Sequence, residues 1–179
     1  VTPNPIAPIA RFAAQGKMPE LRRALNDGLD AGLSINQIKE VLVQLYAYAG
    51  FPRSLNALGA FMTVLDERKN AGIEDEAGEE PGPVPADSLA AGTRNQTRLT
   101  GAPVTGALFE FAPAIDHFLK AHLFGDIFGR DNLDWRSREI ATIAALAGLD
   151  GLDSQLASHL AIGRNIGLSE DELRDAAAG

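Results

Sequence analysis

One pattern occurs twice in this chain, and it limits the fold more than any other feature. EVLVQLYAYAG, opening at Glu40, matches EIATIAALAGL, opening at Glu139. In both copies a glutamate opens an almost wholly apolar helix, a short turn follows, and a second amphipathic helix comes next. The turn and helix start GLSINQIKEV (Gly32–Val41) is echoed by GLSEDELRDA (Gly167–Ala176). Two Ala/Leu helices can look alike by composition alone, but the paired glutamates and matching GLS turns weigh against that. A helix apolar on every side, such as Ile140–Leu149, has to be enclosed by other helices. The expected fold is therefore all-α: a multi-helix motif present twice, with its central helices packed around a pseudo-twofold core. Repeats that cannot cover their own apolar faces often also build oligomers.

The finer reading places helices at about Ile9–Ala14, Pro19–Ala31, Ile35–Ala49 and Ser54–Asn70, then at about Pro113–Phe128, Trp135–Leu149, Ser154–Ile166 and Glu170–Ala178. Gly16, Gly32 and Gly50 stand where helix ends are expected, and Ser34 is placed to cap the helix starting at Ile35. No alternating period-2 run indicates a sheet. Residues Val1–Pro8 read as an extended proline-rich arm. Between the copies the composition turns acidic, with Pro81, Pro83, Pro85 and many glycines. This divides the chain into a first repeat with its arm (1–70), a linker (71–92) that is mobile or wrapped over the surface, and a second repeat (93–179).

Composition narrows the function. A net charge of −8 disfavours nucleic acid, which calls for a basic face. No run approaches the roughly 18 apolar residues of a membrane span. Cysteine is absent, which removes disulfides, thiolate metal sites and thiol catalysis together. Walker, dinucleotide and GxSxG signatures are missing, as are HExxH and any compact Asp/Glu/His cluster, so no cofactor and no metal is expected.

Glu139 stands in the first turn of its helix, where the dipole favours a carboxylate. It shares a face with Thr142, Ile143 and Leu146, and a carboxylate desolvated there is a usable general acid or base. His159 lies between Leu156 and Leu160 on an inward stripe, with Gly163 one turn on. An antiparallel helix hairpin would bring the two together, whereas each alone reads as structural. Glu40 has no such partner, because Ala60 holds the matching histidine position. His122 and Asp126 form an i, i+4 pair suited to a local hydrogen bond or to an aspartate orienting a histidine. His117 falls on another face and is expected in solvent. Arg53, Arg94, Arg98, Arg130, Arg138 and Arg164 are candidate carboxylate binders. Tyr46 and Tyr48 project to nearly opposite sides of their helix and read as packing.

HLFGDIFGRDNLDWRSREIATIAALAGL (His122–Leu149), continuing through QLASHLAIGRNIGLSEDEL (Gln155–Leu173), resembles the carboxymuconolactone decarboxylase family. INQIKEVLVQLYAYAGFPRSLNAL (Ile35–Leu58) resembles it again, so the chain looks like the double-copy subgroup. The resemblance implies an AhpD-like helical fold and a homo-oligomer, commonly a trimer or hexamer. In the peroxidase branch a glutamate precedes a Cys-x-x-Cys motif, and a histidine follows it. Glu139 and His159 match the glutamate and histidine, while Leu152 and Gln155 stand at the cysteine positions, and Arg53 and Asn56 in the first copy. Thiol peroxidase chemistry is thereby excluded.

The decarboxylase branch needs no cysteine and releases CO₂ from a carboxylated lactone. Such a reaction needs donors to stabilise an enolate and an acid to protonate carbon. The resulting expectation is a cofactor-free lyase with Glu139 and His159 as the acid–base pair. Arg138 would position a substrate carboxylate, with His122 and Asp126 as further substrate-binding candidates. The competing expectation is a non-catalytic oligomeric binding or scaffold protein. A solvent-connected pocket touching both Glu139 and His159 would favour the enzyme, and dry, filled packing around them the scaffold. The expected partner is a small molecule, and the expected compartment is the cytoplasm, or an exported one if a leader preceded Val1.

Overall fold

The computed structural model describes residues 2–178, and those residues contain helices but no strand. Helix formation begins earlier than the proline-rich start suggests. Pro5 already has helical dihedrals, and the Asn4 side chain accepts the Ile6 N–H at 2.9 Å. Helix α1 (Ile6–Gln15) therefore takes over the last three residues of the expected extended arm, Ile6 to Pro8, while the arm's Val1 lies outside the described residues. Ile6, Ala7, Ile9, Ala10, Ala13 and Ala14 are all buried, so the segment is core rather than tail.

Helices α2 (Met18–Asp30), α3 (Ile35–Gln44), α4 (Tyr46–Ala49) and α5 (Phe51–Asn70) follow. The single helix expected over Ile35–Ala49 is divided at Leu45, whose backbone stays helical. After Asn70 the chain runs extended along the surface. Ile35 and Asn36 donate their N–H groups to the Glu76 and Ala77 carbonyls, both at 2.9 Å. Arg68 grips Asp75 and Asp30 at 2.9 Å each. Within the stretch read as linker, Asp87 caps a helix through the Ala90 N–H, starting α6 (Ser88–Thr100).

Beyond α6 come α7 (Ala107–Phe111) and α8 (Pro113–Phe118), which runs into a π-helical segment (Leu119–Ile127), a wider winding that is rare and frequent at functional sites. Neither α6 nor α7 stands out in the sequence, and the helix expected over Pro113–Phe128 takes the π form through its second half. Helices α9 (Trp135–Ala147), α10 (Asp153–Asn165) and α11 (Glu170–Ala177) complete the chain. The two GLS turns fold alike. Gly32 and Gly167 have φ near +95° and +92°, and Ser34 and Ser169 each form a reciprocal capping box, with Gln37 and Glu172.

Two apolar cores result. The larger joins α1, α2, α3, α5, α9 and α11 around Ile9, Leu21, Ile38, Leu42, Phe61 and Ile143, each of which contributes roughly 1.5–3 kcal/mol on burial. As the all-round apolar pattern requires, every residue from Arg138 to Leu146 is buried. The helix laid most extensively against α9 is α1. Helix α3 instead reaches α9 through polar side chains, described below. The smaller core joins Leu99 of α6, Leu123, Phe124 and Ile127 of the π segment, Phe128 and Ile162 of α10, with Tyr46, Tyr48 and Trp135 packed against it.

Helix α6 crosses the π segment at two glycines. A Cβ on Gly92 would collide with the Lys120 carbonyl, and one on Gly125 with the Ser88 carbonyl. By contrast, α7 and α8 lie on the outside and leave Leu108, Phe111, Ile115 and Phe118 exposed, Phe111 at 89%.

Candidate functional site

Helix α9 begins where Asp134 accepts the Ser137 N–H at 2.9 Å, so residues 138 and 139 fall at the end of its first turn. Consecutive helical residues diverge by about 100°, and these two reach different helices. Glu139 extends to α10, where one carboxylate oxygen, Oε2, lies 2.8 Å from His159 Nδ1. The Glu139 side chain is fully buried, and that of His159 is 12% exposed. With Nδ1 engaged, Nε2 is the imidazole nitrogen left to meet a ligand.

Tyr48 closes the other side. Its ring lies 5.7 Å from the His159 ring, edge to face. Burial first, and then the negative charge of Glu139, push its hydroxyl well above the ordinary phenol range. The Thr142 hydroxyl beside it donates to the Arg138 carbonyl at 2.9 Å. That Thr142 hydroxyl partly offsets the rise, yet the Tyr48 hydroxyl and Glu139 Oε1 are both buried with no well-formed hydrogen bond. Two such atoms beside one histidine are a costly arrangement, about 1–3 kcal/mol for each unsatisfied group. Tyr48 reads as packing in the sequence because nothing in its spacing signals the side to which its hydroxyl turns.

Arg138 turns to α3. Its Nη2 donates to Glu40 Oε2 at 2.9 Å and to the Arg130 carbonyl at 3.0 Å, and its Nη1 to Gln44 at 3.2 Å. The side chain has no exposure. Its two Nη groups are committed to Glu40, Gln44 and the Arg130 carbonyl, and its Nε is buried without a partner. Arg130 adds a two-pronged contact to Glu40 at 2.8–3.1 Å, and Asn132 a further donor at 3.2 Å. Burial alone would raise Glu40, but hydrogen bonds from Arg130 and Arg138 outweigh it and hold the carboxyl below its ordinary range.

His122 and Asp126 meet on the π segment, Nδ1 to Oδ2 at 2.9 Å, both about half exposed. The His122 ring lies 5.8 Å from Tyr46, which stacks on Phe51 at 4.3 Å. Each histidine thus carries a carboxylate on Nδ1 and abuts a different tyrosine of the four-residue α4. Among the other candidates, Arg164 pairs with Glu170 at the surface, Arg98 lies over the Trp135 ring, and His117 is exposed.

Five surface clefts of about 230 to 630 Å³ open elsewhere, and none of the five is lined by Glu139 or His159. Among the described residues no group of three His, Cys, Asp or Glu is placed to hold a metal ion, and no helix is long and apolar enough to cross a membrane. No curated protein matches the chain. Residues 113–179, which carry His122, Asp126, Glu139 and His159, match the model of the carboxymuconolactone decarboxylase family.

Proposed function

We propose that the chain is a cofactor-free carboxy-lyase acting on a carboxylated lactone or a related ring acid, with His159 as the proton carrier and Glu139 as its partner. The observation that supports it most is the 2.8 Å contact between a fully buried carboxylate and a histidine that keeps one nitrogen free. Decarboxylation breaks the bond between the ring carbon and its carboxylate, releases CO₂ and leaves the electron pair in an enolate of the ring. The enolate carbon then takes a proton. A histidine oriented through Nδ1 delivers that proton from Nε2, and Glu139 stabilises the imidazolium before transfer. The family matched by residues 113–179 supports this reaction class.

The first repeat, on this reading, has exchanged chemistry for structure: Glu40 is neutralised by Arg130 and Arg138, where Glu139 faces a histidine. Exposed Leu108, Phe111, Ile115 and Phe118 favour association of several chains, a trimer or hexamer. The same exposed surface, with the absence of Glu139 and His159 from the five clefts, favours a second reading, an oligomeric scaffold whose Glu–His contact is structural.

The test is CO₂ release from γ-carboxymuconolactone by wild type, His159→Ala and Glu139→Ala, with circular dichroism to confirm folding. The lyase reading expects turnover in the wild type and its loss in both folded variants. Turnover surviving both substitutions would refute the site, and an inert wild type would remove this substrate.

A further inference from the structure

Away from the Glu139–His159 contact, a cleft of about 390 Å³ opens where α6, the end of the π segment and the start of α9 converge. Ala91, Phe128 and Leu133 are buried in its floor, and Trp135, Arg94 and Arg130 stand among its walls. Its two acids already have tasks. Asp131 accepts the Gly82 N–H at 2.8 Å, and Asp134 caps α9 through the Ser137 N–H and hydroxyl. Its cations are less committed. Arg94 has no hydrogen bond or ion pair among the described residues, and Arg130 uses Nε and Nη2 on Glu40 while Nη1 has no protein partner.

Arg98, one turn beyond Arg94 on α6, lies 4.9 Å from the Trp135 ring centroid, and the indole N–H donates to the Phe128 carbonyl at 3.0 Å. The indole is thereby pinned as a flat wall. Arg94, Arg98, Arg130 and Arg138 gather around this corner with Glu40, Glu80, Asp131 and Asp134, in a chain whose net charge is −8. Unused guanidinium donors recognise a planar carboxylate, and an apolar floor with an indole wall recognises a ring. The geometry points to a second ligand site here, built for a ring carboxylate held by Arg94 and the outer edge of Arg130 against Trp135. The site is independent of the lyase reading, since it shares no residue with the Glu139–His159 pair.

Trp135 is the chain's single tryptophan, so its fluorescence reports this cleft directly. The experiment titrates benzoate into the intact chain, beside neutral benzamide and inorganic phosphate, and repeats the titrations in Arg94→Gln and Glu139→Gln. Arg94 is exposed and unpartnered, so its replacement leaves the fold in place. The expected result is a saturable change with benzoate in wild type and Glu139→Gln, weakened about ten-fold or more in Arg94→Gln, with benzamide and phosphate both weaker than benzoate. A wild type that gives no saturable change, or an Arg94→Gln variant that binds equally well, overturns the site. Benzamide equal to benzoate overturns the role of charge, and phosphate equal to benzoate overturns ring recognition. Loss of benzoate binding in Glu139→Gln would overturn the independence of the two sites.

Discussion

Arg138 and Glu139 are neighbours in the chain whose charges serve opposite sides of α9: the guanidinium is buried against Glu40 of α3 and the carboxylate against His159 of α10. One turn of helix therefore holds both a closed ion lock between the two halves of the chain and a carboxylate bound to one nitrogen of an imidazole whose other nitrogen is free. The lock should carry stability and little chemistry. Removing one partner of a buried ion pair strands the other and costs about 3–5 kcal/mol. Glu40→Gln is expected to lose about 3 kcal/mol or more in urea unfolding. The double variant Glu40→Leu/Arg138→Leu, which removes both charges, is expected to lose much less. A single-variant loss below about 1 kcal/mol would show that the remaining contacts compensate Arg138 without Glu40.

Acid should release the same lock. Glu40 is held below its ordinary value of 4.5 by Arg130 and Arg138, so it binds fewer protons folded than unfolded. Its contribution is fully present above the unfolded value and disappears as pH falls through the lower folded value. Wild type should therefore lose stability on acidification below about pH 4.5 more steeply than Glu40→Gln, which has no carboxyl to titrate there. Denaturant midpoints measured from pH 6 downward test this, and parallel curves would remove Glu40 as the cause.

Much of this layout was legible in the residues, and the gaps have physical reasons. The contact of Glu139 with His159 could be read because both lie on apolar stripes of consecutive helices, where spacing alone sets the facing side. The lock of Arg138 onto Glu40 could not, because its partner lies 98 positions away and helical period says nothing about which distant carboxylate arrives. Helix α6 was hidden because it buries little beyond Ala91, Gly92, Gln96 and Leu99 and carries a mid-helix glycine that weakens the local signal. That glycine makes sense only once the Lys120 carbonyl is seen pressed against it. The fate of Tyr48 depended on the chain path near Leu45, which a continuous-helix reading of Ile35–Ala49 misses.

The glycine crossing is itself testable. A methyl group at Gly92 would meet the Lys120 backbone, which cannot move aside as a flexible side-chain end can. Overpacking of this kind costs about 1–3 kcal/mol, partly offset by the better helix propensity of alanine, roughly 1 kcal/mol. Gly92→Ala should lower the thermal midpoint despite that gain. Gly59→Ala, in α5 with open space at its Cβ position, should raise it. The same sign for both variants would mean that propensity, not the crossing, decides.

Association should depend on the outer helices. Phe111 and Phe118 present most of their surface to solvent with little of the chain packed over them. If they join chains together, Phe111→Ser/Phe118→Ser should shift the sedimentation coefficient toward that of the 18.9 kDa single chain while helical content is kept. An unchanged assembly would move the interface to another surface, and a wild type already monomeric would remove the need for one.

Tyr48 separates structure from chemistry at the candidate site. Its hydroxyl is buried next to Glu139 with no well-formed hydrogen bond, so the folded protein gains little from it. Tyr48→Phe removes an unsatisfied polar atom and keeps the ring against His159, which predicts unchanged or improved stability, by up to about 1 kcal/mol. A hydroxyl retained solely by packing would leave turnover unaffected as well. If instead it meets the ligand or Glu139 during reaction, Tyr48→Phe should lower kcat by roughly two- to ten-fold with stability intact, since a single neutral hydrogen bond contributes roughly 0.5–1.5 kcal/mol. Urea unfolding and CO₂ release on the same preparation give both answers. A clear loss of stability would show that the hydroxyl is bonded in the resting protein, with the neighbouring Thr142 hydroxyl as its partner.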